Sequence, residues 1–154
     1  MKKFHYALGT VLDYKQQVLD AKQAEHAALL AQVRGQEEVL SLAEYRYGAT
    51  NRELRRKEQA GITIAEARSY EVGLQVLERE ILREREKLAA LRRAEEHKRG
   101  QVVAAKQEAM SLEKLREKRL RNYNREAQKA EEQLIDELAG AGMGGGAVQA
   151  RTAL

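Results

Sequence analysis

The sequence predicts an all-α fold: a two-helix antiparallel coiled-coil hairpin with a longer second helix and a flexible Gly-rich C-terminal tail. Three observations predict it. Apolar residues recur every seven positions over most of the chain, the period of helices that supercoil left-handedly around a partner. The 154 residues include no Pro, no Trp, no Cys and one Phe, while 34% are charged; this is the profile of long helices, with a thin seam in place of a thick core. A helix stop followed at once by a helix start stands at Ala60-Gly61-Ile62-Thr63.

The first helix is predicted over residues 4–58. One seam position takes Leu12, Leu19, His26, Val33, Leu40, Tyr47 and Leu54. The other takes Leu8, Lys15, Lys22, Leu29, Gln36, Ala43 and Thr50, so the seam is weakest between Lys15 and His26. Gly35 and Gly48 each cost a helix interior about 1 kcal/mol relative to Ala, and a bend is expected near Gly48.

The turn is predicted at 59–63. Gly61 adopts the left-handed conformation that ends a helix without steric cost. Thr63-Ile64-Ala65-Glu66 has the form of a capping box, with Thr63 satisfying the new helix's first amides and Glu66 reaching back.

The second helix is predicted over 64–139. Its stripe runs Ala67, Tyr70, Leu74, Leu77, Ile81, Leu88, Leu91, Val102, Ala105, Ala109 and Leu112, broken by Glu95 and Lys98. Beyond Leu112 the stripe resumes as Leu120, Tyr123, Ala127, Ala130, Leu134 and Leu138. That displacement is a stutter, which unwinds a supercoil locally. Gly140 is expected to end the helix, leaving 140–154 as a flexible tail. A phosphate loop at Gly140 to Gly146 lacks both the Lys-Ser/Thr ending and a preceding strand.

Folding at Gly61 sets residue i opposite roughly residue 122 minus i in an antiparallel pair. Lys22 and His26 then face Glu95 and Lys98, a polar layer that fixes register at some cost in stability. His26 reads as a register or ion-pair residue, not as a ligand or base. The arms are unequal, with a paired part of roughly 80 Å against roughly 110 Å for the second helix at 1.5 Å per residue. Residues 122–139 are left without an intramolecular partner while still carrying Tyr123, Ala127, Leu134 and Leu138. An amphipathic helix with an unpaired stripe seeks a partner protein.

Lys114, Arg116, Lys118, Arg119, Arg121 and Arg125 lie just before this overhang, against Glu113 and Glu117, and the hairpin adds Lys2 and Lys3. One reading is a solvated helix face; the other is electrostatically steered docking onto an acidic surface. A nucleic-acid ridge is the competing use of the same cations, but only Tyr123 interleaves with them for stacking on bases. A parallel dimer of straight helices, with Gly61 a mere kink, is the purely structural alternative.

His5, His26 and His97 with scattered carboxylates form no metal spacing and no nucleophile–base pair, and two packed helices offer no concave site. No enzyme, no cofactor, no metal and no small-molecule substrate are therefore expected. No apolar run reaches the ~18 residues of a membrane span, and Met1 to Leu12 lacks the form of a secretory signal, so a cytoplasmic location is expected.

The opening Phe4-His5-Tyr6-Ala7-Leu8 with Val11-Leu12-Asp13 resembles the start of the flagellar FliJ family. So do Leu112-Glu113-Lys114-Leu115-Arg116-Glu117-Lys118, Tyr123, Glu131-Glu132-Gln133 and Asp136-Glu137, and in the middle Gly61-Ile62, Tyr70 and Leu77. The resemblance spans residues 4–139. It implies a non-enzymatic component of the flagellar type III export apparatus, similar to the central stalk of a rotary ATP synthase. Such a stalk binds the hexameric export ATPase and promotes its assembly and activity. It also engages the cytoplasmic domain of the export gate and the export chaperones, peripherally at the basal body and inner membrane. On this resemblance the ATPase-docking candidates are Lys114, Arg116, Lys118, Arg119, Arg121, Tyr123 and Asp136. The gate-binding candidates are Tyr45, Tyr47, Tyr70 and Leu77, with Gly73 standing where a larger apolar residue is expected. The stalk of a virulence type III secretion system is the near alternative.

Overall fold

A computed structural model describes residues 2–144. It is all-helical: α1 spans Gly9–Ala60 and α2 spans Ile64–Gly144, packed against each other. Gly61 between them has φ +96°, the left-handed conformation that reverses the chain without a Cβ clash. Its amide donates to the Glu58 carbonyl at 3.4 Å. Thr63 Oγ1 then accepts the Glu66 amide at 3.2 Å, capping α2 as a Thr three residues ahead of a free amide does.

Both helix ends differ from the sequence reading. The segment expected to be helical from residue 4 enters α1 only at Gly9, with a turn closed by the Gly9 amide on the Tyr6 carbonyl at 3.0 Å. Phe4 and Tyr6 in this stretch lie instead against α2, on the Tyr123 ring and the Leu112 carbonyl. At the other end α2 runs through Gly140 to Gly144. Glycine weakens a helix by about 1 kcal/mol but does not block it as proline does. The rest of the predicted tail, 145–154, lies outside the described residues.

The chain divides into two units. In the unit Gln17–Lys106, α1 and α2 run antiparallel with Leu19, Ala43, Leu54, Ile81, Leu88 and Ala105 buried between them. Each large aliphatic side chain so buried contributes about 1.5–3 kcal/mol. The cross-helix partners of this unit include Glu53 with Tyr70, Gln36 with Glu84, His26 with Glu95 and Lys22 with Gln101. Each pair keeps the near-constant sum of residue numbers that a turn at Gly61 dictates. The arms therefore meet as a hairpin, and not as a kinked rod.

The other unit joins Met1–Gln16 to Gln107–Leu154. Its core is Tyr6, Leu12 and Ala109, and Lys15 pairs with Glu108 at 2.7 Å. Here the seam of α2 changes phase. Leu112, Leu115, Tyr123 and Ala127 are half-buried, whereas Leu120, expected on the stripe, is exposed. Spacings of eight and four replace seven, which is the predicted stutter.

Candidate functional site

Chemistry capable of recognising a partner concentrates in the second unit, where residues 2–8 form a non-helical strap along α2. An extended chain covers more than twice the length per residue that a helix does, so the residues ahead of the turn at Ala7 and Leu8 bring Lys2 to Tyr123, slightly beyond where a helical arm would place it. Tyr6 anchors the strap. Its side chain is 8% exposed and its hydroxyl donates to the Leu112 carbonyl at 2.9 Å. The Arg119 guanidinium stands over the Tyr6 ring at 5.7 Å. One turn further, Phe4 meets Tyr123 with ring centroids 5.6 Å apart and planes tilted 55°, and the Tyr123 hydroxyl donates to the Lys2 carbonyl.

This arrangement corrects the extent of the overhang. Tyr123 and Ala127 were expected among the unpartnered residues 122–139, but both are half-buried. From Gln128 to Met143 every residue is exposed, including Leu134 at 56% and Leu138 at 65%. The uncovered stripe thus begins about two turns later than expected.

Lys114, Arg116, Lys118, Arg119, Arg121 and Asp136 are all exposed. Among the described residues, the ion pairs stop at Glu108, so none of these groups is neutralised by a carboxylate at contact distance. Lys114, Lys118, Arg121, Arg125 and Lys129 recur at steps of four, three, four and four, which places them on one helix face. At about 100° per residue that face is opposite the stripe of Ala127, Ala130, Leu134 and Leu138. Lys129 was missed by the sequence reading, although its helical spacing from Arg125 was visible there.

The remaining candidates lie in the unit Gln17–Lys106. His26 Nε2 is 2.7 Å from Glu95 Oε1, with both side chains mostly buried, and Arg99 approaches the same carboxylate at 3.6 Å. Lys98 reaches Glu25 at 2.6 Å, and Lys22 donates to Gln101 at 3.2 Å. The four layer residues are thus each satisfied across the seam, though only His26 and Glu95 pair with each other. Lys98 holds the Glu25 carboxyl below the usual carboxylate range, chiefly through the hydrogen bond.

Tyr47 is half-buried and its hydroxyl donates to Glu78 at 3.1 Å. That carboxylate pushes the phenol above its ordinary value. Tyr70 donates to Glu53 at 3.2 Å beneath the Lys57 ammonium, 5.2 Å from its ring. Leu77 is half-buried, whereas Tyr45 is 67% exposed. Tyr47 also lines an open groove of about 380 Å³ with Glu44, Glu78, Ile81, Leu82 and Arg85. The four gate candidates therefore do not share one surface: three are in or beside the seam and Tyr45 is directed to solvent.

Among the described residues no cluster of three or more His, Asp or Glu side chains is placed to hold a metal. Among the described residues no helix is long and apolar enough to cross a membrane.

The sequence matches the family model described as Flagellar FliJ protein over residues 4–144. No curated protein and no solved structure matches the chain.

Proposed function

The chain belongs to the flagellar FliJ protein family, and on that premise we propose that it serves as the stalk of the export ATPase. Its role lies in the flagellar protein-export apparatus. The family description favours the flagellar over the virulence system. In the proposed action, the distal part of α2 and the strap dock into the hexameric ATPase and promote its assembly and hydrolysis. The middle of the hairpin engages the cytoplasmic domain of the export gate, with Tyr45 as the solvent-facing contact and Tyr47, Tyr70 and Leu77 contributing only the edges they expose beside the seam. Export chaperones bind other surfaces, and the protein works peripherally at the basal body beside the inner membrane.

The observation that carries this reading is the pairing of two unpartnered features at one end. Among the described residues the cations from Lys114 to Lys129 have no carboxylate at contact distance, and Leu134 and Leu138 are exposed on the opposite face. Unpaired charge of one sign steers association with an acidic surface, and an uncovered apolar stripe supplies affinity once contact is made. Nothing in this scheme requires chemistry from the chain itself.

Mixing the protein with the export ATPase is expected to raise ATP hydrolysis and the hexamer fraction. Replacing Arg116, Arg119 and Arg121 together by Glu is expected to abolish both effects without unfolding the helices. Full stimulation by that variant, with unchanged salt dependence, rejects docking through this end.

A further inference from the structure

The strap and α2 together build a site that neither makes alone. Lys2, Lys3, His5 and Arg119 line an open cup of about 410 Å³. Phe4 and Tyr123 supply its apolar wall. Asn122 adds an amide and Glu126 is the one acid on the rim. Neither Lys2, Lys3 nor Arg119 forms an ion pair among the described residues.

The parts are differently mobile. Arg119 is held against the Tyr6 ring, which in turn is fixed to the Leu112 carbonyl, so the guanidinium edge is presented in one place. Lys2 and Lys3 are exposed and swing on flexible stems as point charges. Tyr123 has its hydroxyl committed to the Lys2 carbonyl, so the aromatic pair offers a wall for methylene groups.

We propose that this cup receives acidic side chains from an exposed loop of a partner protein. Arg119 takes one carboxylate bidentately, Lys2 and Lys3 neutralise a second, and the carboxylate stems lie along Phe4 and Tyr123. A free phosphate concentrates its charge on one group and needs several fixed donors converging on it; here only one donor group is held. Charges spread over several ångströms on apolar stems match the spacing better. The assignment rests on the stalk reading for the partner's identity, but the cup is defined by this chain alone.

The test uses the full chain, with hexaglutamate peptide and inorganic phosphate as probes, read by NMR shifts at Phe4, Asn122 and Tyr123. Hexaglutamate is expected to move these resonances, and phosphate at equal charge concentration to leave them in place. Lys2→Glu with Lys3→Glu is expected to weaken hexaglutamate binding at least fivefold. Arg55→Glu with Arg56→Glu, exposed cations remote from the cup in sequence, is expected to change it less than twofold. Circular dichroism of both variants should match the parent, since all four side chains are exposed. Unchanged hexaglutamate affinity in the Lys2/Lys3 variant overturns the cup, as does an equal loss in the Arg55/Arg56 variant. Equal shifts with phosphate overturn its carboxylate preference. A fivefold loss of peptide binding with undiminished ATPase stimulation supports the cup and removes the ATPase as its partner.

Discussion

Tyr6 donates its phenolic hydrogen to the main-chain oxygen of Leu112, 2.9 Å away across 106 positions of sequence. The acceptor sits inside a continuous helix, so this is an added bond and not the closing of a helix end. Its loss in Tyr6→Phe is expected to cost about 1 kcal/mol. Tyr6→Ala also removes a buried ring and is expected to cost about 3–5 kcal/mol locally. Hydrogen exchange of the amides at 4–8 and 112–123 separates the two, because only the alanine variant should release the strap.

A buried and an exposed leucine on α2 should part company. Leu88 is 5% exposed and Leu134 is 56% exposed. Leu88→Ala is expected to lower stability by about 2–5 kcal/mol, seen as an earlier denaturant midpoint. Leu134→Ala is expected to stay within about 0.5 kcal/mol yet to weaken ATPase stimulation. A stability loss at Leu134 matching that at Leu88 would show the stripe to be already covered in the free protein.

Gly61 is the sole residue with positive φ among those described. A Cβ there meets no neighbouring atom within 4 Å, so the penalty for Gly61→Ala is conformational and not steric against other residues. The expected cost is about 1–2 kcal/mol, with Gly61→Asn losing less. Thermal melts of the two variants and the parent check the order.

Acid should loosen the seam through two carboxylates. Glu84 is held below its ordinary pKa by the hydrogen bond from Gln36 and then by Lys87, and Glu25 by the hydrogen bond from Lys98. A carboxylate with a folded pKa below the unfolded one adds stability above the unfolded value, and that stability is lost as pH falls through the folded value. Stability is therefore expected to decline as pH drops below about 4.5, the ordinary value. Lys15, raised by Glu108, acts at the opposite extreme, its contribution fading as pH rises through a value above 10.5. In Gln36→Leu, a carbon-detected titration should find Glu84 closer to its ordinary range.

Much of the hairpin was legible because each signal was local and strong. Gly61 and Thr63 announce a stop and a start within three residues, and a histidine in a leucine repeat demands a polar partner, found in Glu95. The strap was not legible for the opposite reason. Leu8 and Leu12 fit the heptad, so Phe4 to Leu8 read as helix; what changed their conformation was α2, a tertiary surface more than a hundred positions away. Tyr123 was misplaced as unpartnered for the same cause, since its partners Phe4 and Lys2 reach it only through an extended chain. Gly140 misled because composition indicates where a helix is weak, not where it ends. The candidate site was half visible: the cations could be counted, but their division into a ridge and a cup required knowing which face of α2 the strap occupies.

The constant-sum pairing within Gln17–Lys106 restricts how this protein can change length. Seven residues inserted into α1 alone, between His26 and Gln36, would preserve every apolar stripe while sliding His26 two turns away from Glu95. Each arm would still read as a sound helix, yet the half-buried imidazole would face Val102 in place of a carboxylate. Insertions and deletions should therefore survive only as matched pairs, one on each side of Gly61 at equal distance from it, or beyond the outermost cross-helix pair.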